Sequence, residues 1–140
     1  MLLGIGFQGS WLILWLTLLG AKVIGYSLPP PTNPSLFDSI KIKKNITSKI
    51  GDVNDKEKLF SVMSKHAPDV VIHLAAQSLV RKSYESPLET FSTNVLGTAN
   101  LLESVRNVPS VKSCLIMTSD KAYENKEWDY AYRENDPMGG

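Results

Sequence analysis

Thr118-Ser119-Asp120-Lys121 follows directly on the apolar run Ser113-Cys114-Leu115-Ile116-Met117. A hydroxyl, a carboxylate and an amine at the end of a buried strand could polarise a substrate hydroxyl, donate a proton and remove one. The carboxyl ends of parallel strands are also where open α/β sheets bind their ligands. A polar strand-end turn uses the same residue types and is the alternative reading. The second chemical signal lies at the other end of the chain. Gly4-Ile5-Gly6-Phe7-Gln8-Gly9 spells GxGxxG ahead of an apolar helix, the arrangement in which backbone N–H groups and a helix N-terminus cradle a pyrophosphate. The motif requires a strand before it, and only Met1, Leu2 and Leu3 stand there, so the first strand is expected to be missing. A flexible glycine-rich start is the alternative.

The scaffold around these residues is read from pattern. Ser10 to Leu19 reads as a helix apolar nearly all round, hence buried, with Gly20 ending it in a left-handed cap. Lys22-Val23-Ile24-Gly25-Tyr26 reads as a strand, followed by the breaker-rich Pro29 to Pro34 and a second strand over Ile46 to Val53 ending in Gly51-Asp52. Asn54 and Glu57 have capping-box spacing for a helix running to about His66, with Leu59, Phe60 and Met63 as its buried face and Pro68 as its stop. Asp69 to Ala75 has the continuous apolar character of a strand buried on both faces. Ser86-Pro87-Leu88-Glu89 opens a long helix carrying Phe91, Val95, Thr98, Leu102 and Val105 on one stripe, and the strand at 113–117 closes the series. Strands alternating with helices at this spacing predict an α/β, Rossmann-like doubly wound parallel sheet with right-handed crossovers. From Tyr123 to Gly140 the chain is polar and aromatic, as suits a loop over an active site.

Composition narrows the function classes. With 140 residues, 43% hydrophobic, 21% charged and a net charge of +1, the chain is an ordinary globular one with no polyanionic partner implied, and nucleic-acid binding is not expected. Lys41, Lys43 and Lys44 alternate with Ile40 and Ile42, as in a half-exposed strand or loop. Cys114 is the one cysteine, so no intrachain disulfide can form, and a reducing compartment, the cytoplasm, is the simpler expectation. His66 and His73 have no second cysteine to complete a zinc set, and no metal is expected. Met1 to Ala21 carries no charge and invites a targeting or membrane reading. Gly4, Gly6, Gln8, Gly9 and Ser10 interrupt the stretch and leave only Trp11 to Ala21, well short of the ~20 residues a spanning helix needs, so no membrane partner is expected.

Several segments in order carry a family resemblance: Gly6-Phe7-Gln8-Gly9-Ser10-Trp11-Leu12, Pro30-Pro31-Thr32-Asn33-Pro34-Ser35-Leu36-Phe37, His73-Leu74-Ala75-Ala76-Gln77, Thr93-Asn94-Val95-Leu96-Gly97-Thr98, Thr118-Ser119-Asp120-Lys121 and 132–140. Through them the chain resembles the extended short-chain dehydrogenase/reductase family, and within it the sugar-nucleotide 4,6-dehydratases of the CDP-glucose branch. Two departures stand out. Aligned on Gly6 and Gly9, the family's first loop glycine falls on Leu3, so Gly4 is not that glycine and the GxGxxG match is partly accidental. The family's YxxxK pair also has no counterpart, since no tyrosine here has a lysine four residues later.

The resemblance implies NAD as cofactor and residues 1–140 as a partial NAD(P)-binding domain, without its first strand, its C-terminal part and the substrate domain. It implies a nucleotide-sugar substrate, CDP-glucose, dehydrated in deoxysugar and O-antigen biosynthesis, and a homo-oligomer for the full-length protein. A related nucleotide-sugar epimerase or decarboxylase and a non-catalytic remnant are the alternatives, and without YxxxK this chain alone is expected to be inactive. The implied cofactor-binding residues are Gly6, Phe7, Gly9, Asp52, Val53, Leu74, Ala75, Ala76, Gln77, Asn94 and Thr118. Ser119 stands where the family polarises the sugar hydroxyl and Asp120 where a general acid protonates the departing C6 hydroxyl. Lys121 replaces the glutamate that dTDP-glucose dehydratases use nearby, which points to the CDP-sugar branch. Removal of the C5 proton by Lys121 is a hypothesis built on the tuning of a lysine by burial. For Asp52 a strand-end turn is the alternative. His73 reads as a core strand residue, and Asn94, on a buried helix face, needs some hydrogen-bond partner.

Overall fold

A computed structural model describes residues 1–139; Gly140 and the side chain of Asp120 lie outside the described residues. Five parallel strands form one sheet in the order β3-β2-β1-β4-β5: β1 (Leu2–Leu3), β2 (Ile24–Ser27), β3 (Thr47–Ile50), β4 (Val70–His73) and β5 (Ser113–Ile116). The first strand, expected to be missing, is present at the centre. Leu2 and Leu3 pair with Gly25 and Tyr26 on one side and with Ile72 and His73 on the other. Backbone bonds from Ile72 N to Met1 O (2.9 Å), Leu74 N to Leu3 O (2.8 Å) and Gly4 N to Tyr26 O (3.0 Å) extend both ladders. Two residues suffice because each has a paired neighbour on both sides.

Successive strand side chains point to opposite faces, and β1 uses both. Leu2 joins Ile5, Ile13, Val23, Phe37 and Ile42 under α1 (Phe7–Leu18) and α2 (Leu36–Ser39). Leu3 joins Tyr26, Leu59, Met63, Val71 and Leu101 under α3 (Lys56–His66) and α6 (Gly97–Arg106).

Helix α1 is not buried all round, as its sequence suggested. Gly9, Ser10 and Ile13 are buried, while Trp11 and Trp15 are 52% and 62% exposed and Phe7, Leu18 and Leu19 stand out into solvent with them. A single helical layer can bury only the face that meets the sheet. Gly20 does end the helix at φ +83, with Gly20 N bonded to Thr17 O and Ala21 N to Leu16 O, the paired bonds of a Schellman cap. Strands β2 and β3 are displaced or shortened relative to the sequence reading. Ile40 to Lys44 forms neither strand nor plain loop but leads into a 3₁₀ turn, Ile42–Asn45.

The cap of α3 is Asp55 rather than Asn54: the Asp55 carboxylate accepts from Lys58 N at 3.0 Å, while Asn54 accepts the Ser92 hydroxyl. Phe60 is 41% exposed, one position off the buried Leu59–Met63 line. The long helix opening at Ser86 runs without a gap as α5 (Pro87–Phe91), a π turn at Ser92–Leu96 and α6, and a separate short α4 (Val80–Glu85) precedes it. A π turn adds a residue and rotates the downstream part of the helix. The predicted stripe therefore holds only in part: Phe91, Val95 and Leu102 are exposed and Gly97, Leu101 and Ser104 are buried, while Val105 packs against the core and Thr98 meets His73. Ser86 precedes Pro87 as expected, but its hydroxyl makes no cap bond. Urea unfolding separates the two cap readings: Asp55→Ala should cost about 1 kcal/mol and Asn54→Ala well under that.

Candidate functional site

The first loop turns on Gly4, which at φ +90 takes a conformation L side chains rarely adopt. A Cβ there would lie 2.6 Å from Ala75 N, so the loop can lie against the chain leaving β4 only because Gly4 is glycine. Gly4 thus does the turning work that the family alignment denied it, and Leu3 belongs to the strand and core. A Cβ on Gly9 would stand 1.9 Å from Gly4 O, which puts the first turn of α1 hard against the loop. Ser10 fixes this junction by donating to Ile5 O (3.1 Å) and Gly6 O (2.8 Å). Gly6 is the N-cap of α1, no side chain caps it, and a Cβ there would meet open space. Gly6 thus lines a cleft at the start of a twelve-residue helix whose N-terminus receives no side-chain cap among the described residues.

That cleft, about 240 Å³, is lined by Gly4 to Gly6, Ser27 to Pro31, Gly51 to Val53, Leu74 to Ala76 and Thr93. Its far wall rests on Tyr26, whose buried hydroxyl donates to Asp52 O at 2.9 Å. Burial, reinforced by the nearby Asp55 and Asp52 carboxylates, pushes the Tyr26 hydroxyl up to about 12, so it stays a donor at neutral pH. Gly51 leaves room for that ring, since a Cβ would strike it at 2.3 Å. One Asp52 carboxylate oxygen accepts from Asn54 N at 2.9 Å, the turn geometry offered as its alternative.

A second cleft, about 480 Å³, continues from Ala76 along Gln77, Ser78, Leu79, Thr90, Asn94, Met117, Thr118 and Ser119. Asn94, within the π turn, finds its partner here: its oxygen accepts from Gln77 N (2.8 Å) and its amide donates to Gln77 O (2.9 Å). The Gln77 carboxamide is turned back on Leu79 and Thr90, so its side chain is occupied within the protein. Ser119 accepts from Lys121 N at 3.3 Å in the turn after β5. Past it the chain forms a closed loop: Gly139 N bonds Ala122 O, Glu124 N bonds Pro137 O, and Tyr123 pairs with Met138. Inside this loop Tyr123 stacks on Tyr132 and Trp128 on Tyr130.

The structure therefore brings Gly6, Asp52, Val53, Leu74, Ala75 and Ala76 to one cleft and Gln77, Asn94, Thr118 and Ser119 to its continuation. Phe7 is exposed, Gly9 supports the loop from behind, Lys121 is on the surface turn, and the Asp120 side chain lies outside the described residues. Sequence reading missed Gly4 as the turning residue, although a glycine just after two buried leucines was the signal. It also missed Thr90, which accepts from the Gln77 amide, and Thr98, which lies just past a π turn that has no clear sequence mark.

A doubly wound parallel sheet with its cleft beside the switch from β1 to β4, approached by a glycine-turned loop and a bare helix N-terminus, is a Rossmann-type domain. The chain belongs to the GDP-mannose 4,6 dehydratase family, whose sequence profile matches residues 3–139. It is 54% identical over 135 residues to the CDP-glucose 4,6-dehydratase of Salmonella typhimurium, covering 96% of this chain and 38% of that one. A UDP-glucose 4-epimerase crystal structure superposes with a TM-score of 0.83 at 27% identity, covering 99% of this chain and 40% of the other. MoeE5 in complex with UDP-glucose and NAD does so with a TM-score of 0.77 at 26% identity, covering 99% and 41%. The chain thus spans under half the length of the relatives it matches.

Two measurements test this geometry. Gly9→Ala should unfold at clearly lower denaturant than the wild type, since its methyl must displace the Gly4 carbonyl. His73 is buried, and burial holds its imidazole below the ordinary 6.5. The unfolded chain therefore binds a proton that the folded chain refuses, so stability falls as pH drops below about 6.5. His73→Gln should flatten that part of the stability–pH curve.

Proposed function

We propose that this chain is the NAD-binding part of a CDP-glucose 4,6-dehydratase. The observation that carries the reading is 54% identity across 96% of the chain to such an enzyme. The residues present fit a dinucleotide. Gly4 and Gly9 admit the backbone close to a diphosphate, Gly6 leaves open space, and the α1 N-terminus offers unpaired N–H donors. Asp52 and Val53 lie on the wall that would take the adenosine half, and Ala75 to Gln77 lead towards the second cleft. The absence of an acidic residue or arginine just after Tyr26 leaves the choice of NAD over NADP to family likeness, supported by the NAD seen in MoeE5.

When bound, NAD supplies a hydride acceptor for sugar C4 and a donor for C6. Between those transfers water must leave across C5 and C6, which needs an acid at the C6 oxygen and a base at C5. Ser119 polarises the sugar hydroxyl from the wall of the second cleft. Asp120 protonates the departing hydroxyl, and Lys121 takes the C5 proton that the neighbouring ketone acidifies. The second cleft, opening at the end of β5 beside Ser119, is the room for the hexose. A single cysteine supports a cytoplasmic, reducing setting. The exposed apolar Phe91, Val95 and Leu102 along one helical run support a homo-oligomer in the full-length enzyme.

Calorimetric titration of this chain should show NAD⁺ binding. Turnover requires the family's Tyr–Lys pair, which has no counterpart in this sequence, so it is measured on a fusion of this chain to the remaining part of the Salmonella relative. With CDP-glucose and NAD⁺, mass spectrometry should show a product lighter by one water. A product of unchanged mass but altered stereochemistry would make the enzyme an epimerase instead. Lys121→Met in the fusion should slow dehydration by about a hundredfold or more, and an unimpaired rate would remove the lysine from the mechanism.

A further inference from the structure

His73 is a buried imidazole of the core, and nothing in the reaction above uses it. It is 2% exposed at the end of β4, and its Nε2 lies 3.1 Å from Thr98 Oγ1. The Thr98 hydroxyl donates its hydrogen to Asn94 O at 2.7 Å. Its oxygen is therefore left to accept, which assigns the hydrogen on the ring to Nε2. Nδ1 is buried with no partner among the described residues. A π turn disturbs the regular i→i−4 ladder, and the Thr98 hydroxyl occupies the Asn94 carbonyl within that stretch. Asn94 in turn grips both backbone groups of Gln77.

These bonds meet in a single turn of helix. Asn94 and Thr98 are four residues apart, and between them they hold both ends of the segment from His73 to Gln77. That segment separates the two clefts, with Leu74 to Ala76 on one and Ala76 and Gln77 on the other. We infer that His73 is a positioning residue: by donating from Nε2 to Thr98 it fixes the near end of the Leu74–Gln77 segment while Asn94 fixes the far end. His73 touches neither cleft and acts only through this chain of bonds. The effect on ligand binding rests on the NAD reading above; the effect on the segment itself does not.

The test separates the two. In the ligand-free chain, amide hydrogen exchange at Gln77 N–H reports the clamp directly, and exchange at Tyr26 in the sheet centre reports global stability. His73→Leu should lose about tenfold of protection at Gln77 beyond any loss at Tyr26, the scale of one neutral hydrogen bond. His73→Gln, whose amide nitrogen can stand in for Nε2, should recover most of it. Thr98→Val should match His73→Leu, and the double variant should be no worse than either, because both break one path. NAD⁺ affinity should follow the same order. Equal protection at Gln77 in His73→Leu and wild type, losses that track Tyr26 alone, no recovery in His73→Gln, or additive effects would each overturn the positioning role. Failure of the wild type to bind NAD⁺ would count against the cofactor reading and leave the exchange result to decide the role of His73.

Discussion

Leu2 and Leu3 have to satisfy four neighbours at once. Their backbones pair with β2 and β4, and their side chains enter the two separate cores on either face of the sheet. Both leucines are almost completely buried. The helix α1, the first loop and the return of the chain from β4 are all placed relative to these two positions. A one-residue slip would send each side chain to the wrong core, so the short strand is specified by packing rather than by length.

Steric tightness at the carboxyl end of that strand then shapes the clefts. Gly4 turns where a side chain would collide with Ala75, and Gly9 lies where a side chain would collide with Gly4. The loop, the first helical turn and the segment after β4 are thereby packed as one body, leaving a groove instead of filling it. Around both clefts, polar side chains are spent on backbone: Tyr26 on Asp52, Asn94 on Gln77, Ser10 on the loop. The cleft walls are made rigid by the same residues that a motif search would assign to ligand contact.

The alternation of strands and helices, the positions of β4 and β5 and the carboxyl-end location of the Thr118–Lys121 turn were legible from sequence because hydrophobic period and breakers encode them. The burial expected of β5 is not met: among the described residues it is the edge strand, paired on one side only, with Leu115 52% exposed. The first strand was not, since two residues give no period to read and its support comes from strands far along the chain. The buried face of the last helix was misread because a π turn shifts phase without changing composition. At α3 the capping-box spacing pointed to Asn54, but Asn54 accepts from Ser92 and the adjacent Asp55 caps the helix.

The outer face of α1 bears on how the chain behaves as a solute. Trp11, Trp15, Phe7, Leu18 and Leu19 form an apolar surface on one side of the molecule, and Leu115 and Met117 at the β5 edge add another. Apolar surface of this kind draws copies together, and a net charge of +1 offers almost no long-range repulsion to keep them apart. Colloidal behaviour near neutral pH is therefore governed by concentration and by what covers these surfaces, with charge a minor influence.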